Sequence, residues 1–164
     1  MKSLGARIVM LEDFVPMRPT LGKIVAVSGG FDPIHPGHIS YIQEAKKLGD
    51  TLVVIVNGDA FLRKKKGKPF QDLQTRSAIV SAVRGVDFVV PLEIERDHTV
   101  CHALDILRPH IFANGGDGKD ANSIPEWEVC QRHGIELVQG IGGYDKKWSS
   151  SDFLVSWVKH ITQS

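Results

Sequence analysis

The stretch that most constrains this chain is residues 23–38. There the apolar run Lys23 to Val27 passes through Ser28-Gly29-Gly30-Phe31-Asp32-Pro33-Ile34 straight into His35-Pro36-Gly37-His38. The run reads as a buried strand, because strands covered on both faces lose the polar alternation of half-exposed ones. The glycines behind it let backbone approach a ligand where side chains would obstruct it. Pro36 and Gly37 shape a turn that leaves His35 and His38 in the first turn of a helix. Unpaired amides and the positive end of the helix dipole converge there, a setting that suits an anion.

From Lys23 onward, strand-like and helix-like runs alternate, the signature of a parallel sheet covered by helices. Ile39, Ile42, Ala45 and Leu48 recur at helical spacing until Gly49, and Thr51 to Val56 is a second strand. Further units run from Asp72 to Val90 and from Thr99 to Ala113, with Pro109 at a boundary. Ser123 and Glu126 have capping-box spacing before a helix that ends at Gly134, and Ile135 to Val138 closes the sheet. Ser149 to Asp152 caps a last helix with an apolar face of Phe153, Leu154, Trp157 and Ile161. The fold class expected is α/β: a Rossmann-like open parallel sheet with helices on both faces, in a single domain over 23–164. Residues 1–22, with Ile8 to Leu11 and then Pro16 and Pro19, read as an appended arm outside the core.

A chain of 164 residues supports one core without staples. Its 20 Lys and Arg against 19 Asp and Glu leave a formal charge of +1, so no global basic field argues for nucleic acid, and a small substrate is expected. Cys101 and Cys130 have no metal-binding spacing and read as reduced, and no apolar run reaches the length of a membrane span. A cytoplasmic protein is expected.

In an open parallel sheet, ligands bind at the carboxyl ends of the strands. Four unusual segments fall there: Gly29 to His38, Asn57 to Lys68, Asn114 to Lys119, and Gly140 to Ser151. His35 and His38 could cap a helix, hold a metal or contact phosphate. Phosphate is favoured, because His98 and His102 lie in another segment and supply no nearby third ligand. Lys64, Lys65, Lys66 and Lys68 form either a solvated loop or phosphate contacts at the binding edge. Asp32 reads equally as a turn-stabilising or a magnesium-linked carboxylate. Gly115-Gly116-Asp117 reads as a close backbone approach or a plain turn, and Gly118-Lys119-Asp120 does not complete a Walker A loop.

Gly30-Phe31-Asp32-Pro33-Ile34-His35-Pro36-Gly37-His38 resembles the His-x-Gly-His motif of the cytidylyltransferase-like nucleotidyltransferases. The likeness continues through Gly49-Asp50, Lys64 to Pro69, Gln74-Thr75-Arg76, Val86-Asp87, Arg108-Pro109 and Gly115-Gly116-Asp117. Their order and spacing are similar to those of glycerol-3-phosphate cytidylyltransferases and heptose-phosphate nucleotidyltransferases.

The resemblance implies attack of a phosphorylated acceptor on the α-phosphate of a nucleoside triphosphate, with loss of pyrophosphate. It assigns His35, His38 and the lysines, with Lys66 and Lys68 foremost, to the chemistry. It gives the nucleotide Gly29, Gly30, Phe31, Asp32, Gly37, Asn114, Gly115, Gly116, Asp117, Trp148, Ser149, Ser150 and Ser151, and gives phosphate or acceptor Lys64, Lys65, Arg76 and Lys119. The chain departs from the family at Asp145 to Ser151, where a glycine and an arginine usually precede the hydroxyls; Trp148 there can stack on a base or pack under the loop.

The expectation is transfer of CMP from CTP, with Mg²⁺ carried mainly by the triphosphate, to a small phosphorylated or phosphonylated acceptor. The alternatives are AMP transfer from ATP to a heptose, flavin or pantetheine phosphate, and a nucleotide-binding protein without catalysis. A homodimer is expected by resemblance, with Ile8 to Leu11 at its interface.

Overall fold

The computed structural model describes residues 5–95, 99–115, 120–143 and 147–163. Among them six strands form one parallel sheet: β1 (Arg7–Ile8), β2 (Ile24–Gly29), β3 (Thr51–Asn57), β4 (Phe88–Leu92), β5 (Ile111–Asn114) and β6 (Glu136–Gln139), in the order β1-β4-β3-β2-β5-β6. β2 pairs along its length with β3, from Ile24 opposite Thr51 to Gly29 opposite Val56, and on its other side with β5 through Val25 and Ala26. Ile24 to Val27 and Leu52 to Val56 are wholly buried, as their unbroken apolar runs require.

Alternate residues of these strands feed two cores. Ile24, Ala26, Val53 and Ile55 pack with α1 (Leu11–Phe14), α5 (Cys101–Leu107) and α6 (Trp127–His133). Val25, Val27, Leu52, Val54 and Val56 pack with α2 (Pro36–Lys46) and α4 (Leu73–Ser81) on the opposite face. The expected fold, an α/β parallel sheet with helices on both faces, is the one found. From β2 the chain builds outward through β3 to β4, then returns through α5 to set β5 on the other side of β2. That reversal opens a crevice beyond the carboxyl ends of β2 and β5.

The first 22 residues correct the expectation of an arm outside the core. Arg7 and Ile8 pair with Phe88 and Val89 on the free edge of β4, and Leu11 and Phe14 are buried. The Phe14 ring meets Phe88 edge-on at 5.3 Å. Two paired residues carry too little periodicity to read as a strand, and the apolar side chains beyond them cover a sheet face that would otherwise be wet. Ile8 and Met10 stay exposed at the sheet edge.

Three local expectations change as well. The lysine run belongs to a helix, α3 (Asp59–Lys66), and is not a loop: Glu93 accepts from the amides of Asp59 (2.7 Å) and Ala60 (2.9 Å), and Gly67 ends the helix at φ +86°. Acidic groups at the start and four cations in the last turn suit the helix dipole. Ser123 and Glu126 form no capping box; Ser123 closes its own 3-10 turn on Asp120, and α6 starts after Glu126. The last helix, α7 (Ser150–Thr162), has no buried residue, and Phe153, Trp157 and Ile161 of its apolar face are exposed.

Candidate active site

The crevice holds a cavity of about 350 Å³ lined by Ser28 to Phe31 from the end of β2, His35, Gly37, His38 and Tyr41 from α2, and Lys65 from α3. Asn114 and Gly115 after β5, then Ile141 to Gly143 and Trp148, complete its wall.

Its first feature is the N-terminus of α2. His35 is the N-cap and His38 the third helical residue, and they cap each other: the His38 amide donates to His35 Nδ1 and the His35 amide to His38 Nδ1, both at 3.3 Å. The rings stack at 3.6 Å and 17°. A ring nitrogen that accepts from an amide carries no proton, so each neutral imidazole bears its hydrogen on Nε2. The tautomer is thus set by backbone, and Nε2–H is left as a donor. Gly37 leaves room for this stack: a Cβ there would lie 3.1 Å from Nδ1 and Cε1 of His35, so the ring would have to give by a few tenths of an ångström.

Burial lowers the His35 pKa below its ordinary value, and burial, then His35 and Lys65, depress that of His38 to about 3. Both rings are therefore neutral donors near pH 7. The unfolded chain binds protons on these histidines below about pH 6.5 while the folded one resists. Stability is expected to fall as pH drops from 6.5 towards 3, by at most about 1.4 kcal/mol per pH unit for His38. Urea melts at pH 7.5 and 5 would show the loss, and His38→Gln, lacking the titrating ring, should flatten it.

Beneath the cavity the structure corrects three site assignments. Arg76 turns inward: its guanidinium is wholly buried and donates to the carbonyls of Gln71 (2.9 Å), Gly30 (2.8 Å) and Asn57 (2.6 Å) and to Asp59 Oδ1 (2.6 Å). It is a tie between the ends of β2 and β3 and the start of α3. Asp32 is likewise buried and accepts from the amides of Phe70 and Gln71, both at 2.8 Å, so its carboxylate orders a loop. Lys66, expected among the catalytic lysines, pairs with Asp32 at 2.7 Å. Of the four lysines Lys65 alone lines the cavity; Lys64 and Lys68 are exposed outside it.

The serines divide their labour. Ser149 accepts from the Asp152 amide at 3.3 Å as the cap of α7, Ser150 donates to the Pro33 carbonyl at 2.8 Å, and Ser151 is exposed. Trp148 lines the cavity and stacks on Phe153 at 5.8 Å and 14°. Gly116, Asp117 and Lys119 lie outside the described residues. Tyr41 is not singled out by the sequence: its hydroxyl donates to the Ala113 carbonyl at 2.7 Å, its ring underlies Gly115, and its backbone and Cβ lie against Gly142. Its signal was position: three residues beyond His38 it shares that residue's helix face. Glu44, one turn on, accepts from the Gly142 amide at 2.7 Å and pins the same loop.

Among the described residues no three His, Cys, Asp or Glu side chains gather to hold a metal, and Asp32 is already engaged.

A sheet reversal with paired, backbone-capped histidines at its mouth is the arrangement the motif called for. The chain belongs to the cytidylyltransferase-like family of nucleotidyltransferases, which its residues 26–136 match. It is 39% identical over 132 residues to the Bifunctional protein HldE of Methylococcus capsulatus (strain ATCC 33009 / NCIMB 11132 / Bath), covering 78% of this chain and 27% of that protein. With HldE of Haemophilus influenzae (strain PittGG) it shares 39% identity over 127 residues, 76% of this chain and 26% of that one. It thus spans about a quarter of the length of these curated relatives. Among solved structures it is similar to the lipopolysaccharide core biosynthesis protein from Thermoplasma volcanium GSS1, with TM-score 0.62 and 32% identity, over 76% of this chain and 99% of that one. A pantoate-beta-alanine ligase from Francisella tularensis shares the fold at TM-score 0.56 and 19% identity, over 82% of this chain and 66% of that one. Among the described residues no helix is long and apolar enough to cross a membrane.

Proposed function

We propose that the protein transfers AMP from ATP to a heptose phosphate, releasing pyrophosphate. The observation that carries the transfer is the pair of neutral histidines whose Nδ1 atoms are committed to backbone, leaving two Nε2–H donors at a helix N-terminus. The likeness to HldE and to a lipopolysaccharide core biosynthesis protein favours ATP and a sugar phosphate over the CTP expected from sequence.

In this reading an acceptor phosphate oxygen forms a bond to the α-phosphorus while the bond from that phosphorus to the bridging oxygen breaks, and pyrophosphate leaves with that electron pair. The attacking oxygen is already anionic, so no general base is needed. The protein contributes alignment and charge neutralisation. His35 and His38 donate to the α-phosphate oxygens as charge spreads over them, and the Lys65 ammonium faces the same space as a mobile counter-charge. A magnesium ion carried on the triphosphate would add charge neutralisation to that of His35, His38 and Lys65.

Pyrophosphate release by the purified protein, with ATP or CTP against heptose 1-phosphate or glycerol 3-phosphate, tests this. ATP with the heptose phosphate is expected to be fastest, by about tenfold or more, one good contact's worth of discrimination. Faster turnover with CTP would overturn the donor, and no release with any pair would overturn the transfer. Lys65→Ala should lower kcat/KM by about 10–100-fold, the cost of a lost charge-assisted hydrogen bond of about 1.5–3 kcal/mol. Lys66→Ala should instead lower Tm, because Asp32 loses its cation; the reverse pattern would restore Lys66 to phosphate.

A further inference from the structure

The Phe31 side chain has no polar atom, yet it sits at the centre of the motif on a backbone in a costly conformation. Its backbone is left-handed, φ +51°, a region that L-residues with a Cβ enter at about 1–2 kcal/mol. Its side chain is only 2% exposed. The ring lies against Gly29, where a Cβ would come within 3.0 Å of its Cζ, and meets the His38 ring at 5.0 Å and 67°, edge to face.

Strained positions persist where the surroundings over-determine them and a particular side-chain direction is needed. Here the left-handed turn at residue 31 throws the ring back over the strand end it has just left. It thus reaches the His38 ring, which His35 also stacks on. His38 is held by one hydrogen bond at Nδ1, about which an imidazole can still tilt. Contacts with two neighbouring rings restrict that freedom.

We propose that Phe31 is a positioning residue for nucleotidyl transfer: packed on side-chain-free Gly29, its ring fixes the plane of the His38 imidazole and so the direction in which Nε2–H is offered to the α-phosphate. This deepens the proposed function and rests on it for the reaction, though the ring geometry stands without it. Burial by Phe31 also accords with the depressed pKa of His38, to which neighbouring His35 and Lys65 contribute.

Two variants test the assignment. Phe31→Leu keeps apolar bulk and loses the ring, and Gly29→Ala keeps Phe31 but pushes its ring from the strand. With folding checked by circular dichroism and thermal melts, each should lower kcat by about 10–100-fold, the scale of an ångström-sized misplacement, with the KM for ATP within about threefold. Imidazole NMR of the substrate-free protein should show the His38 titration moving up towards that of free histidine in both variants, with that of His35 moving less. Should wild type release no pyrophosphate from ATP or CTP, the reaction reading fails, while the NMR comparison still decides the contact. Unchanged kcat in folded variants of an active wild type, a loss confined to KM, or a His38 titration that does not move would each overturn the proposal. If Phe31→Leu does not fold, Gly29→Ala decides by the same criteria, and Phe31→Met repeats the test.

Discussion

Arg76→Met is expected to destabilise the protein by about 3–5 kcal/mol, the usual cost of removing one partner from a buried ion pair. Four acceptors lose their donor together: the carbonyls of Gly30, Asn57 and Gln71, and Asp59. Asp59 is partly open to solvent, with a side chain 23% exposed, so water offsets some of its loss; the Gly30 carbonyl sits beneath the site. For a domain this size the loss corresponds to a fall in Tm of roughly 6–20 °C. Arg76→Lys should be nearly as harmful, because an ammonium cannot span acceptors set around a planar fork. A Tm within about 2 °C of wild type for Arg76→Met would refute this role. Because Gly30 directly follows β2 and Asn57 ends β3, surviving molecules of the variant should also show a raised KM.

The contrast between Arg76 and the histidines shows what a sequence reveals of such a site. The sheet was legible because strands buried on both faces must be apolar throughout, and the order of strand, glycine and helix puts the motif at a carboxyl edge. His35, Gly37 and His38 were legible because they are contiguous and their spacing fixes their geometry. Arg76 was misread because its position in the motif says that a guanidinium is needed there, but not which way it points. Its partners come from residues 5 to 46 positions away along the chain. Lys65 and Lys66 show the same limit one residue apart, since successive positions of a helix point about 100° from each other. Read as a loop, the run gave no such directions; once Glu93 is seen to cap α3, one lysine turns to Asp32 and its neighbour to the cavity. Leu11 and Phe14 fall in a stretch too short to show periodicity, and the apolar face of α7 does not by itself say whether the same chain covers it.

The second large effect is expected at His38, and two isosteres divide its functions. The ring accepts at Nδ1 from the His35 amide and presents Nε2–H to the cavity. Asparagine can reproduce the Nδ1 acceptor with its side-chain oxygen, while glutamine can reach the Nε2 position with its amide. His38→Ala removes both and should lower kcat by about 10²–10³-fold, the loss seen when one preorganised transition-state donor is deleted. His38→Asn should match that kinetic loss while melting within about 1 kcal/mol of wild type, because the helix start stays satisfied. His38→Gln should recover part of kcat and lose stability instead. His35→Ala adds the loss of the N-cap, about 1 kcal/mol, to a similar fall in kcat. Since the two rings act on one phosphate through one stack, the double alanine variant should be little slower than either single one. Multiplying losses would mean that the rings act independently. Activity in His38→Asn equal to that in His38→Gln would show that Nε2–H is not the donor, and the transfer would then need another source of charge stabilisation at the helix start.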